Sequence, residues 1–248
     1  MTRVPILMYH SVDDSSDRAC VRPQRFEEQI AYLKKAGYHA VNLDAVYSYL
    51  TGETSLPTKI VVITFDDGFR DNMENAYPVL KRYGMCFTIF LPTDHIGLSN
   101  RWNAAEGVPQ RQLLTWEEIR LLANDPLVCF SAHSCSHPKL THIPVKQVRD
   151  ELSRSKKIIE DHLSRQCYHM AYPYGDFNEA VCHIAMETGF HTACTMRWGH
   201  NRSGCDLFAL YRIGISNQDR LSDFKRVIGE PLPLWKYYWK RIKAKLNG

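Results

Sequence analysis

The sequence predicts an α/β fold in which helices cover a mainly parallel sheet, either a barrel or a doubly wound sheet. Short β-branched and apolar runs alternate along the chain with helical patterns, which is typical of such folds. The 248 residues, 44% of them apolar and 23% charged, are enough for one large globular domain. Active sites in these folds lie at the carboxyl ends of the strands. Polar residues directly after a strand are therefore the first candidates for function.

The first part of the chain alternates strands and helices in a regular order. Pro23 can begin the first helix, and Gly37 can end it. The strand over residues 59–65 is expected to be buried on both faces because its centre is entirely apolar. Asp71 is expected to cap the third helix. The predicted strands are residues 4–9, 39–43, 59–65 and 86–91, and the predicted helices are residues 23–37, 45–50 and 71–83.

The second part of the chain continues the alternation after a long loop, residues 92–114. Thr115 and Glu118 form a capping box that opens the next helix. Gly189 can end the last predicted helix. The predicted strands are residues 127–132, 168–171, 190–195 and 208–213, and the predicted helices are residues 115–123, 145–163 and 178–188.

The positive charge of the chain is concentrated at its C-terminal end. The formal net charge is +4, and residues 231–248 contain five basic and no acidic residues, which accounts for the whole excess. So small an excess does not indicate a nucleic-acid-binding protein. The chain is therefore divided into one domain, residues 1–230, and a basic aromatic tail, residues 231–248.

Two interpretations of the tail are open. If it is helical, Trp235, Trp239 and Ile242 share an apolar face flanked by basic residues, which suits peripheral contact with an anionic membrane. Alternatively, the helix docks on the domain and leaves its lysines in water.

The cysteines and the N-terminal residues indicate a compartment. None of the eight cysteines forms a CxxC pair, so a zinc knuckle or a thioredoxin-type site is not expected. Residues 1–5 lack the apolar stretch of a signal peptide, and no apolar run is long enough for a transmembrane helix. These features predict a cytoplasmic protein with reduced thiols.

Adjacent carboxylates follow the third predicted strand, in residues 64–68 (TFDDG). Burial at a strand end would increase the repulsion between Asp66 and Asp67. A cation could neutralise one carboxylate while the other acts as a base. Alternatively, Asp-Asp-Gly is only a turn sequence.

Two histidines follow the predicted strand over residues 127–132. His133 and His137 are four residues apart, and on a helical turn or in a tight loop they can direct both rings at one divalent metal. The same spacing also arises by chance. Together with one carboxylate, the two imidazoles provide three ligands and leave a fourth position for water, as in a catalytic zinc site. The second carboxylate could then deprotonate that water.

Several other catalytic classes lose support because their motifs are absent from the sequence. HExxH is missing, so the chain is not a zincin. The absence of GxSxG, GxxxxGK[ST] and GxGxxG weakens acyl-enzyme, nucleotide-hydrolysing and dinucleotide-dependent interpretations.

Three segments together resemble the first three motifs of the polysaccharide deacetylases, carbohydrate esterase family 4. They are residues 64–68, residues 133–137 (HSCSH) and residues 172–175 (YPYG), and the resemblance spans about residues 1–215. It implies a distorted (β/α) barrel with about seven strands. It also implies metal-dependent hydrolysis of an N-acetyl group from an N-acetylated amino sugar. The implied cofactor is a divalent metal, with zinc expected and cobalt or nickel as alternatives.

The resemblance further implies a role for individual residues. Asp66 would be the general base, and the metal ligands would be Asp67, His133 and His137. The backbone N–H of Tyr174 would help to hold the oxyanion of the tetrahedral intermediate.

The sequence departs from the usual family pattern in two places. An arginine normally begins the third motif and steadies the base, but Ala171 stands at that position, so Arg212 on a late strand is the candidate replacement. The usual late Leu-x-His that supplies the general acid also lacks a clear counterpart. In a circularly permuted branch, which includes poly-N-acetylglucosamine deacetylases, the first strand supplies this histidine. Residues 8–11 (MYHS) resemble that segment, so His10 is expected to be the acid rather than only a hydrogen-bonding residue.

The substrate and two alternative functions stay open at this point. Trp102, in the long loop, is the best candidate for stacking on a sugar ring, while Trp116 is expected to pack within the fold. The aromatic residues Tyr172, Tyr174 and Trp198 are further candidates. The substrate would be an oligosaccharide, a polysaccharide or a lipid-linked sugar at the cytosolic membrane face. The alternatives are a non-catalytic carbohydrate-binding relative and a deacylase that removes another acyl group, such as formyl.

Overall fold

Seven parallel strands close into a barrel in the computed structural model, which describes residues 3–102 and 108–229. Around the ring the order is β1, β5, β6, β7, β8, β9 and β10, and β1 closes it by pairing with both β5 and β10. The expected distorted barrel is therefore confirmed. The strands are β1 (Ile6–Tyr9), β2 (Ser11–Val12), β3 (Cys20–Val21), β4 (His39–Ala40), β5 (Ile60–Phe65), β6 (Phe87–Leu91), β7 (Val128–Ala132), β8 (His169–Ala171), β9 (Thr192–Trp198) and β10 (Leu210–Gly214).

Three short strands lie outside this ring. The pair β2 and β3 forms a small sheet of its own directly after β1, and neither strand was predicted. Strand β4 pairs with the first residues of β5, where His39 lies opposite Ile60.

The helices cover the outside of the barrel and one of its ends. They are α1 (Pro23–Lys35), α2 (Leu43–Leu50), α3 (Tyr77–Tyr83), α4 (Trp116–Ala123), α5 (Val145–Leu163), α6 (Glu179–Glu187) and α7 (Leu221–Gly229). The predicted capping box opens α4, because the Thr115 hydroxyl accepts from the Glu118 N–H and the Glu118 carboxylate accepts from the Thr115 N–H.

The start of the third helix differs from the prediction. Residues Asn72–Ala76 form a π-helical turn before α3, and the Asp71 side chain makes no capping bond to it. Asp71 instead accepts hydrogen bonds from the Ser11 hydroxyl and the Val12 N–H. The Asp71 carboxylate therefore binds the segment after β1, and the π-helical turn begins without a side-chain cap.

Two apolar cores result from the alternation of side chains along the strands. Val61 and Ile63 face outwards and pack with the buried faces of the surrounding helices. Val62 and Phe90 face inwards, where they pack with the buried residues of α2. Since β4 leads into α2 from the start of β5, α2 closes the amino end of the barrel. The opposite, carboxyl end is left for polar side chains.

The tail over residues 231–248 lies outside the described residues, so the proposed membrane contact stays a prediction. Among the residues that the structure describes, no helix combines the length and the apolar character needed to cross a membrane. All eight cysteine thiols are free.

Candidate metal centre and active site

The two adjacent carboxylates lie at the carboxyl end of β5. The Asp66 N–H donates to the Tyr9 carbonyl oxygen at 3.0 Å, which continues the pairing of β5 with β1. The chain then turns sharply, because Asp67 has φ 72° and Gly68 has φ 64°. A side chain at Gly68 would press against Leu91, since an added Cβ would lie 2.9 Å from it. Because of this turn, the side chains of Asp66 and Asp67 point in different directions, although the two residues are neighbours in sequence.

The two histidines are held by a tight loop at the carboxyl end of β7. Ser134 and His137 both adopt positive φ, at 61° and 59°, and the Ser134 hydroxyl accepts from the His137 N–H at 3.1 Å. Glu151 of α5 fixes the loop from outside, because its carboxylate accepts from the backbone N–H groups of Cys135 and Ser136 at 2.8 and 2.9 Å. This fixed backbone brings both imidazole rings to the same side.

Asp67, His133 and His137 form a buried cluster that could hold a metal ion. Asp67 Oδ1 lies 3.5 Å from His133 Nε2 and 3.2 Å from His137 Nε2, and a potential ligand atom from each residue lies within 4.8 Å of the others. Asp67 Oδ1 is buried and accepts no hydrogen bond from the described residues. One carboxylate oxygen and two imidazole nitrogens are a donor set that zinc and similar divalent metals take.

The orientation and protonation of His133 fit a metal ligand. Its Nδ1 lies 2.8 Å from the Ala171 carbonyl oxygen, which can only accept, so Nδ1 carries the proton and Nε2 presents a lone pair to the cluster. Burial lowers the pKa of His133 to about 4, so the ring is neutral at pH 7. A metal needs the imidazole in this neutral form.

Asp66 is paired with Arg212, the residue expected to replace the missing motif arginine. Arg212 Nη1 and Nη2 donate to the two Asp66 carboxylate oxygens at 2.6 and 2.7 Å, and Nε donates to the Thr195 carbonyl oxygen at 2.8 Å. Burial opposes ionisation of Asp66, but the guanidinium and the nearby imidazoles hold the pKa of its carboxyl below its usual value. Asp66 is therefore a fixed carboxylate beside the cluster.

His10 follows β1 and lines the same pocket as the cluster. Its backbone is held by the turn before α3, because the Asn72 amide donates to the His10 carbonyl oxygen at 2.8 Å. Asp71 holds the next two residues, accepting from the Ser11 hydroxyl at 2.6 Å and the Val12 N–H at 2.9 Å. These hydrogen bonds from Asn72 and Asp71 were not predicted from the sequence. A cluster of amide and carboxylate side chains shortly after the Asp-Asp-Gly motif was the available signal.

Tyr174 lies in a short 3₁₀ turn after β8, with φ 57°. Its ring contacts the ring of His137 edge to face, with 4.7 Å between the centroids. Gly175 is required next to it, because a Cβ there would lie 2.7 Å from Met196. Among the described non-glycine residues, five have positive φ, and all but Ser164 belong to the three motif segments. Such strained backbone is concentrated at functional sites.

The aromatic candidates have different environments. Trp102 stacks on His137, with 4.7 Å between the ring centroids and 28° between the planes. Tyr172 is fully buried and donates to the Phe208 carbonyl oxygen, so its expectation as a sugar platform was wrong. Trp198 is also buried. Trp116 stacks on His162 of α5, in agreement with the expected packing role.

One pocket of about 200 Å³ unites the sequence-predicted residues. Asp66 and Asp67 lie in its wall together with the two motif histidines, while Arg212 supports Asp66 from behind. Other residues in its wall were not predicted to line it, and they include Asp17, Phe69, Asn100, Arg111 and Met196. These residues come from parts of the chain that carry no recognisable motif.

A parallel barrel with two carboxylates and two imidazoles at its carboxyl end defines an enzyme-like site suited to metal-assisted hydrolysis. The family model of the polysaccharide deacetylases matches residues 53–193. The chain belongs to this family, and the resemblance noted in the sequence is thereby confirmed.

Two sequence relatives support the assignment. YxkH of Bacillus subtilis (strain 168), whose name places it among the polysaccharide deacetylases, is 31% identical over 214 residues, covering 86% of this chain and 72% of YxkH. The poly-β-1,6-N-acetyl-D-glucosamine N-deacetylase of Staphylococcus aureus (strain MSSA476) is 26% identical over 177 residues. That match covers 68% of this chain and 58% of the staphylococcal enzyme.

Two solved structures share the fold. The Streptococcus pyogenes deacetylase PplD, solved with acetate, has a TM-score of 0.81 and 24% identity, covering 92% of this chain and 99% of PplD. IcaB from Ammonifex degensii has a TM-score of 0.81 and 25% identity, covering 93% of this chain and 98% of IcaB.

Proposed function

We propose that this protein is a metal-dependent hydrolase that removes N-acetyl groups from N-acetylated amino sugars in an oligosaccharide, a polysaccharide or a lipid-linked sugar. The observation that carries the proposal is the buried Asp67, His133 and His137 cluster beside the Asp66–Arg212 pair in one pocket. The name of the staphylococcal relatives, poly-β-1,6-N-acetyl-D-glucosamine N-deacetylase, supports this substrate class.

The proposed metal ligands are Asp67, His133 and His137, and zinc is the proposed ion, with cobalt or nickel as alternatives. When bound, such an ion polarises the amide carbonyl and lowers the pKa of water from 15.7 to about 7. The neutral His133 and the buried Asp67 Oδ1, which lies between the two imidazole Nε2 atoms, fit this role.

The other residues act on protons and on the substrate. Asp66 accepts a proton from the attacking water, and Arg212 keeps its carboxylate ionised and fixed. His10, as an imidazolium, donates a proton to the leaving amine. The Tyr174 N–H donates to the carbonyl oxygen as it becomes negative, a type of contribution worth about 3 kcal/mol in a transition state. The products are acetate and a free amino sugar.

The non-catalytic alternative loses its main argument. It rested on the missing arginine of the third motif, whereas Arg212 makes two hydrogen bonds to Asp66 from another strand. Removal of a different acyl group, such as formyl, would need the same machinery. A cytoplasmic location with membrane contact through residues 231–248 stays a prediction.

The experiment that tests the proposal measures acetate release from soluble, polymeric and lipid-linked N-acetylated sugars, with and without chelator. Asp67→Asn should lose bound metal and acetate release together, because it removes the anionic ligand. The matched control is Asp161→Asn, which makes the same change at an exposed carboxylate of α5 and should keep both. Chelator-resistant turnover by Asp67→Asn would contradict the proposal. Release of formate from the matching N-formylated sugar, with no acetate from the N-acetylated one, would redirect it.

A further inference from the structure

Arg111 lies in the wall of the catalytic pocket, on the segment between β6 and α4. Its backbone is fixed by Asn100, which donates its N–H to the Arg111 carbonyl oxygen at 3.2 Å and accepts the Arg111 N–H on its side chain at 2.6 Å. Asn100 is itself buried and donates its amide to the Pro109 carbonyl oxygen. The position of Arg111 is therefore set before any ligand binds.

The guanidinium of Arg111 is also fixed. Its Nη1 donates to Asp17 Oδ2 at 2.8 Å, and its central carbon lies 5.8 Å from the centroid of the Phe69 ring. The second Asp17 oxygen accepts from the Ala19 N–H, so the carboxylate has little freedom. The Arg111 side chain is only 10% exposed. Asp17 and Phe69 line the same pocket.

One nitrogen of this fixed guanidinium lacks an acceptor. Arg111 Nη2 is buried, and no described residue accepts a hydrogen bond from it. A buried donor without an acceptor destabilises a protein unless water or a ligand supplies an oxygen. A saccharide bound against this wall of the pocket would bring hydroxyl and carbonyl oxygens to it.

The charges around Arg111 favour an uncharged ligand. Asp17 neutralises the guanidinium, and Asp66 and Asp67 lie in the same pocket, so an anionic group would meet three carboxylates. A hydroxyl group can accept from Arg111 and donate to Asp17 at the same time, because it is both acceptor and donor.

We propose that Arg111, positioned by Asp17 and Asn100, binds a hydroxyl or carbonyl oxygen of the sugar beside the acetamide to be cleaved, and so selects uncharged N-acetylated oligosaccharides. This inference rests on the proposed function, because it assigns part of the same pocket to the carbohydrate.

The test compares Arg111→Gln with the full-length parent on neutral N-acetylglucosamine oligomers. The KM should rise about 10-fold or more, because a hydrogen bond from a charged donor is lost, while kcat should change less than about 3-fold. Arg111→Lys should give an intermediate KM, since it keeps the charge but not the planar set of donors. The control is Arg70→Gln, which removes an exposed arginine that pairs with Glu118 outside the pocket and should keep the KM of the parent.

Other outcomes would overturn the inference. An unchanged KM in Arg111→Gln, or a loss confined to kcat, would show that Arg111 does not bind the sugar. If Arg111→Gln raises the KM for an N-acetylglucosamine phosphate but not for the neutral oligomers, Arg111 belongs to an anion site instead. If the parent releases no acetate at all, the proposed function fails. Calorimetric titration of the same neutral oligomer into both proteins would still decide the inference. The parent should bind the oligomer, and Arg111→Gln should bind it more weakly.

Discussion

At the scale of single residues, the Asp66–Arg212 pair shows that a different strand can supply the arginine that is missing from the third motif. Ala171 occupies the position where the family usually has its arginine, on β8. Arg212 reaches Asp66 from β10, two strands further along the barrel, and is itself almost completely buried. A buried carboxylate without such a partner would be costly, so the pair keeps Asp66 ionised inside the barrel. The guanidinium therefore reaches the Asp66 carboxylate from a different strand than in the usual family pattern.

Arg212→Lys should lower kcat for acetate release about 10- to 100-fold while metal content stays unchanged. Lysine keeps the charge but cannot bond both Asp66 oxygens and the Thr195 carbonyl oxygen together. Steady-state kinetics and elemental analysis of the purified variant check this. Loss of metal together with activity would point to general damage of the site instead.

The residues that were predicted most directly from sequence are those within compact motifs, whereas His10 and Arg212 were predicted through the family resemblance. Asp66, Asp67, His133 and His137 each follow a strand, so residue type and spacing indicated a metal site, and the family resemblance implied the role of each residue. Arg111 could not be predicted, because its role depends on Asp17, which lies 94 positions away in sequence. A local sequence pattern cannot predict a contact between residues so far apart in the chain.

At the scale of elements, the turns after the strands determine the geometry of the site. The backbone changes direction at three strand ends, where positive φ occurs at Asp67, Ser134, His137 and Tyr174. The π-helical turn before α3 has a comparable role, since its first residue, Asn72, and the preceding Asp71 hold the segment after β1. The alternation of strands and helices was predicted correctly from periodicity. The π-turn was not, because no apolar period distinguishes it from an ordinary first helical turn.

Asp71→Ala should reduce kcat for amide hydrolysis about 10-fold and lower the free energy of unfolding by about 1–3 kcal/mol. The Ser11 hydroxyl and the Val12 N–H would lose their acceptor, and the segment carrying His10 would loosen. Hydrolysis of 4-nitrophenyl acetate should fall less, because its leaving group needs no protonation. Glu74→Ala, an exposed change in the same turn, is the control. Equal losses on both substrates would contradict a link to His10.

At the scale of the whole molecule, two apolar cores stabilise the barrel, and both lie apart from the polar pocket. The outer core joins the barrel to its helices, and the inner core, closed by α2, fills the amino end of the barrel. The polar pocket occupies the carboxyl end. The alternation of strand and helix patterns predicted a parallel sheet covered by helices. The closure of the ring between β1 and β5 could not be predicted from the sequence. It depends on the pairing of strands more than 50 residues apart.

His200 should make the stability of the whole domain depend on pH. Its Nε2 lies 2.9 Å from the Val227 carbonyl oxygen of α7, and burial lowers the pKa of its ring. The unfolded chain therefore binds a proton at a higher pH than the folded one, so the free energy of unfolding falls as the pH drops below about 6.5. His200→Gln should flatten this dependence. Urea unfolding of the metal-stripped proteins between pH 7.5 and 5 measures it, and parallel curves for parent and variant would refute the assignment.

The closure of the ring by β1 and β10 has a practical consequence for work on this family. The family match covers residues 53–193, so both of these strands lie outside it, and with them His10 and Arg212. A gene fragment trimmed to that match would encode an open sheet with exposed edges, prone to aggregation. It would also lack the proposed proton donor and the partner of the proposed base, so its inactivity would not test the proposed function of the intact chain.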